Sequence, residues 1–236
     1  MVVANVVEAL DIDGDDSVDI VVAVEQAFGI KITDSEAEAC QTVGDLFRVI
    51  CAHVPTVERS DAIPCLTAAT FRELRRVIRL IEPSLDLRPA TLLSSFAGHH
   101  DHREWHAHLK NTSGLSVPDP SLTVPSMVGG LTLYGIAAAG AVATFGHDAA
   151  GFFVAALLAP AAGFIVHSYG RRTWDANRTL GDLARETAAY SLGQIAKAHG
   201  AVRTRELWEA LVIVLRPFSR HTGLFAHETR FFAKQK

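Results

Sequence analysis

Apolar residues recur at helical spacing through much of the chain. Residues 18–28, VDIVVAVEQAF, place Val18, Val21, Val22, Val24 and Phe28 on one face with acids opposite, and Gly29 stops the helix. Ile30 and Ile32 then alternate into Thr33-Asp34-Ser35, a turn and capping signal ahead of a short helical piece. Thr42 is a candidate N-cap for a helix running through Asp45 and Leu46 to about His53. Residues 67–82, TAATFRELRRVIRLIE, put Phe71, Leu74, Val77, Ile78 and Ile81 on one side and Arg72, Arg75, Arg76 and Arg79 elsewhere, between Pro64 and Pro83. Such a helix either packs on its neighbours or lies on anionic lipid. Near the other end, TRELWEALVIVL from Thr204 to Leu215 presents Leu207, Trp208, Leu211, Val212 and Leu215 together, and Pro217 ends it. The run RTLGDLARET at Arg178 to Thr187 echoes TVGDLFRVI at Thr42 to Ile50, a repeated helix start.

Between Ser126 and Arg171 the amphipathic pattern gives way to a stretch whose only formal charge is Asp148. Residues 127–146 and 149–169 are each long enough to cross about 30 Å of hydrocarbon as a helix. Only His147 and Asp148 separate them, so the expectation is an antiparallel transmembrane hairpin. Gly135, Ala139 and Ala143 on the first run, and Gly151, Ala155, Ala159 and Gly163 on the second, would let the two helices pack closely. Pro160 would kink the second. Arg171 and Arg172 follow directly, while the turn has no Lys or Arg, so the positive-inside rule predicts a two-span inner-membrane protein with both termini cytoplasmic.

The expected fold class is therefore all-α, a small helical bundle plus a two-helix hairpin. The organisation expected is residues 1–60 as a compact group of short helices, 61–125 as an amphipathic and histidine-rich linker region, 126–170 as the hairpin and 171–236 as a cytoplasmic helical region. Charge sharpens this picture. The 236 residues carry a net charge of −4, but the first sixty are acidic and the stretch after Arg171 is basic, so the two ends should attract each other or offer surfaces to oppositely charged partners. The 3 cysteines, Cys40, Cys51 and Cys65, lack metal-type spacing and read as buried small hydrophobes in a reducing compartment.

From Leu10 to Ile50, LDIDGDDSVDIVVAVEQAFGIKITDSEAEACQTVGDLFRVI, the chain resembles the second, third and fourth helices of the acyl carrier proteins, above all from Phe28 to Leu46. The resemblance implies a small helical bundle and, where complete, phosphopantetheine attached to the serine of an Asp-Ser-Leu-Asp motif at the start of the second helix. Two registers compete for that position. By local string, Asp16-Ser17-Val18-Asp19 matches and Ser17 is the attachment residue. By helix phase, counting back from Phe28, Gly14 stands at the attachment position and Ser17 lies three residues later. Forcing Ser17 into the site shortens the helix by one turn and drives Glu25 and Gln26 toward the core, where an unpaired carboxylate costs several kcal/mol. Phase therefore outweighs string, and a carrier-like domain without its prosthetic group is expected.

The N-terminus begins too close to Gly14 to hold a first carrier helix, whereas residues 204–232 look like such a helix and its loop, stopping where the second helix should begin. The two ends read as complementary pieces of one carrier-like fold, completed within one chain or between two. The functional expectation is a non-catalytic, membrane-anchored carrier-like protein that presents an acidic helical surface to a cytoplasmic partner. The alternatives are a working carrier with phosphopantetheine on Ser17, serving lipid or envelope enzymes, and a metal-responsive membrane protein. The last rests on His99, His100, His102, His106 and His108, where His102 and His106 share a helix face. Arg103 follows His102 where an HExxH motif needs an acid, so no metal is expected. No GxSxG, P-loop or Rossmann fingerprint is present, so no catalytic residues are expected. Partners expected are the lipid bilayer, a cytoplasmic protein and a second copy of the chain, with no nucleic acid.

Overall fold

A computed structural model describes residues 6–12, 14–58, 63–97, 102–145 and 172–233, together with Ala156, Pro160, Ala161, Phe164 and Val166. The described residues are mostly helical and divide into two compact units.

The first unit gathers residues 1–91, 109–118 and 179–236. Its N-terminal helices are α1 (Gly14–Phe28), α2 (Asp34–Ala39) and α3 (Val43–His53). In α1 the buried stripe is Ile20, Val24, Ala27 and Phe28, while Val18 is 63% and Val22 42% exposed. A run so rich in valine leaves the helical phase ambiguous in sequence, and the set spaced four, three and one apart is the one that meets the core. Gly29 ends α1 at φ +63°, a conformation open to glycine at no steric cost. Thr33 caps α2 and Thr42 caps α3, each in a reciprocal box with the acid three residues on, Glu36 and Asp45. The sequence echo at Thr179 has the same cause, since Thr179 and Asp182 form a third capping box.

Residue Leu66 begins α4 (Leu66–Ile81), which buries Leu66, Thr70, Leu74, Val77 and Ile78 and packs on α8 (Leu180–Tyr190). The first amide of α4 is satisfied from far along the chain, Leu66 N donating to Glu206 Oε1 at 3.1 Å. After α8 come α9 (Leu192–His199) and α10 (Thr204–Leu215), the latter followed by a 3-10 turn at Arg216–Phe218. Helix α10 packs on α1, α3 and α8, and α9 packs on α1. Strand β1 (Thr56–Val57) pairs in parallel with β4 (Val202–Arg203) immediately before α10. Leu207, Leu211, Val214 and Leu215 share one core with Ile20, Val24, Phe28, Leu46 and Ile50.

The segment after α10 closes the unit. It runs beside residues 6–12 in parallel, Val7 N donating to Leu224 O at 2.9 Å and Leu10 N to Arg230 O at 2.8 Å. It also crosses the start of α3, where Val43 N donates to Thr229 O and Gly44 N to His227 O. Thr229, 1% exposed, donates its hydroxyl to Val7 O at 2.8 Å and accepts from Ala226 N at 2.9 Å. Trp208 of α10 stacks on His227 at 4.2 Å, with Phe47 of α3 edge-on to Trp208.

The second unit holds residues 92–108 and 119–178. It contains α5 (Leu93–Ala97), the first turns of α6 (His102–Ser113), α7 (Val124–Phe145) and an antiparallel pair, β2 (Ser121–Leu122) with β3 (Arg172–Thr173). Helix α7 covers the first expected span. Among the described residues, however, no helix is long and apolar enough to cross a membrane. That corrects the expected transmembrane hairpin and, with it, the expected two-span inner-membrane location with cytoplasmic termini. The expectation rested on length and on the lack of charge. Gly129, Gly130, Gly135 and Gly140, with Ser126, Thr132 and Thr144, dilute the bulky aliphatics that hydrocarbon favours. Most of the second expected span, 149–169, lies outside the described residues.

Three measurements check this packing. A Cβ added at Gly193 in α9 would stand 2.2 Å from the carbonyl group of Phe28. Gly193→Ala is therefore expected to cost about 1–3 kcal/mol or more in denaturant unfolding. Thr229→Val keeps the shape but strands the Val7 carbonyl and the Ala226 amide, and a loss of about 1–3 kcal/mol is expected. Glu36 has its carboxyl held down at about 2, first by the Thr33 amide, then by the Thr33 hydroxyl and His53. A depressed carboxylate stabilises the fold fully above its unfolded value near 4.5 and loses that contribution as pH falls toward 2. Stability measured across that window should fall less steeply in Glu36→Gln than in the parent.

Candidate functional site

The resembling segment places its chemistry at the start of α1. That helix runs for 15 residues from Gly14 to Phe28, so the position that the phase register assigns to attachment holds a residue with no side chain. Ser17 lies in the first turn and is half-buried. The sequence-based concern for Glu25 is met differently. Its carboxylate accepts from Ile32 N at 2.8 Å and pairs with Lys31 at 2.5 Å, and both interactions hold its carboxyl below the usual range, Lys31 first.

Beside Ser17 opens a cavity of about 370 Å³ between α1, α2 and the C-terminal segment. Ile20, Val21, Leu46 and Phe231 give it apolar walls, with Ile12 from the extended segment before α1. Asp34 and Glu38 of α2 also line it. The capping box at Thr33 starts α2 as a separate helix, and its Asp34, Ala37 and Glu38 face the cavity from there. The cavity is sized for a short apolar chain and carries few polar groups to orient anything more elaborate.

Cys40 lines the same cavity. Its thiol is raised above the ordinary value, chiefly by burial and then by the charge of Asp45, and it donates to Glu36 O at 3.2 Å. A thiol so held is a poor nucleophile at neutral pH. All three cysteines are half-buried, less enclosed than the sequence suggested.

Ser17 was legible in sequence as a candidate, and the structure sets it at the cavity. Phe231 and Phe232, which also line the cavity, were not singled out for the site. They lie more than two hundred residues from Ser17, and no local pattern signals that distance. The candidate ligands His102 and His106 stand elsewhere, in the second unit. His102 is buried, its Nδ1 accepting from Trp174 N at 2.9 Å and its ring lying 5.0 Å from the Trp174 ring. That bond occupies the nitrogen with a structural task. His106 Nε2 lies 3.4 Å from Asp119 Oδ1. Among the described residues no group of three or more His, Cys, Asp or Glu could hold a metal ion. His99 and His100 lie outside the described residues.

No family model and no solved structure matches the chain. One curated relative is the acyl carrier protein of Syntrophobacter fumaroxidans (strain DSM 10017 / MPOB), 48% identical over 44 residues. The match covers 19% of this chain and 54% of the relative, so the chain spans about half the length of the curated relative it matches. The similarity thus extends to an acyl-carrier-like segment within a longer, mostly helical chain.

Proposed function

We propose that this chain is a non-catalytic, acyl-carrier-like protein whose carrier fold is permuted and whose attachment position is empty of a nucleophile. The observation that carries the reading is the start of α1 at Gly14. The resemblance makes phosphopantetheine plausible, but the group needs an exposed hydroxyl at the helix start. Gly14 offers none, and Ser17 is half-buried one turn inside. What remains is the acidic surface of α1 and α2, where Asp19, Asp34 and Glu38 are exposed. Such a surface suits docking to a basic protein face, with charge setting the encounter rate more than the affinity.

The permutation is supported by the packing of α10. That helix lies on α1 and α3, and the chain after it returns to the entrance of α1, where Ile12 N donates to Phe231 O at 3.3 Å. Helix, loop and return occupy the order that a first carrier helix and its loop would have, supplied from the other end of the chain. In this reading residues 6–60 and the C-terminal third belong to one fold.

A second reading has its own observation: Ser17 borders the apolar cavity, so an acyl chain carried on it would have a place to lie. In that case the protein hands acyl groups to enzymes as a working carrier.

Incubation with a phosphopantetheinyl transferase and coenzyme A, followed by intact-protein mass spectrometry, separates the two. The parent should remain unmodified, and Gly14→Ser should gain one phosphopantetheine. A gain in the parent that vanishes in Ser17→Ala would establish the working carrier. A Gly14→Ser variant that stays unmodified beside a loaded control carrier would contradict the register.

A further inference from the structure

Among the described residues, the charge on the outward face of α4 is compensated only at Arg76. Arg72, Arg75, Arg76 and Arg79 are spaced three, four and seven residues apart, so they stack on the side opposite the buried Leu74, Val77 and Ile78. Glu73 holds Arg76 at 2.6 Å. Among the described residues, no carboxylate lies within ion-pair distance of Arg72, Arg75 or Arg79, and the Arg75 Nε is sealed from solvent without a hydrogen-bond partner. Like charges at this spacing repel along a helix, so an anion laid over the stack relieves a standing cost. At one end of the stack Leu80 is 61% and Ile81 44% exposed. The face is a cationic ladder with an aliphatic edge, and the arginines and Leu80 border a shallow cleft.

The same unit carries the complementary face. Asp19 of α1 and Asp34 and Glu38 of α2 are exposed, and next to Asp19 stand the exposed Val18 and Val22. Sign is reversed and the pairing of charge with aliphatic edge is repeated. The two faces stand on separate helices of the unit: α4 packs on α8, and α1 packs on α8, α9 and α10. We infer that the arginine ladder of α4 in one copy docks on the acidic α1–α2 face of a second copy, guanidinium forks meeting carboxylates while Leu80 and Ile81 cover Val18 and Val22. The inference rests on the reading of α1–α2 as a docking surface and names its partner. The contact joins unlike faces, so it closes as a reciprocal pair or extends head to tail.

Sedimentation of the full chain in low and high salt tests it, with far-UV circular dichroism to show that each variant is folded. The parent should associate at low salt and weaken about tenfold or more as salt screens the faces. Arg72→Glu/Arg76→Glu/Arg79→Glu alone and Asp19→Arg/Asp34→Arg/Glu38→Arg alone should each be monomeric. Mixed, they should form a 1:1 complex, because each reversed face then meets its complement. A parent that stays monomeric at low salt overturns the inference. So does loss of association in the arginine variant with none in the acid variant, since the ladder then meets some other anion. Neither outcome touches phosphopantetheine loading, so failure here is distinct from failure of the carrier-like reading.

Discussion

The first unit depends on the pairing of its two ends. Among the described residues, the chain that bridges residues 6–12 is the segment that follows α10, and Leu207, Leu211 and Leu215 join the core of α1. The backbone hydrogen bonds of Val7, Leu10 and Ile12 to Leu224, Arg230 and Phe231 therefore join groups more than two hundred residues apart. Thr229 fastens the join from inside, and the Trp208–His227 stack fastens it to α10. Without this closure α1–α3 would expose an apolar face too large for so few residues to bear.

Close approach depends on small residues at the points where elements cross. Gly193 lets α9 lie against the end of α1, and Gly44 lets the His227 backbone reach the first turn of α3. Both contacts sit beside the carrier-like helices, and Leu192, Ile195 and Ala196 of α9 join the same core as the ends. The cavity is a product of the same closure. Its walls come from α1, α2 and the returning C-terminal segment, and only the assembled unit has it.

Much of this was readable in sequence where local chemistry decides structure. The caps at Thr33 and Thr42, the stop at Gly29, and the helices over 67–82 and 204–215 follow from residue type and spacing alone, and the echo at Thr179 turns out to be a repeated capping box. The phase of α1 was less legible, because Val18, Val21, Val22 and Val24 make several faces look apolar and only the arrival of α9 and α10 selects Ile20, Val24 and Phe28. The hairpin expectation fails for a related reason: absence of charge is not lipid affinity, since glycine and threonine are uncharged without being strongly apolar. At the site, Gly14 and Ser17 could be named in advance, whereas the contributions of Ile12, Phe231 and Phe232 depend on a long-range return that no periodicity records.

The central claim is that the C-terminal segment and the N-terminal helices form one cooperative unit. Native-state hydrogen exchange on the full chain tests it most directly. The account predicts that the amides of Val7, Leu10, Val43 and Gly44, which donate to C-terminal carbonyls, exchange only through the same opening that exposes the α1 amides of Val24 and Phe28. Rapid exchange of the first set while the α1 amides stay protected would contradict it.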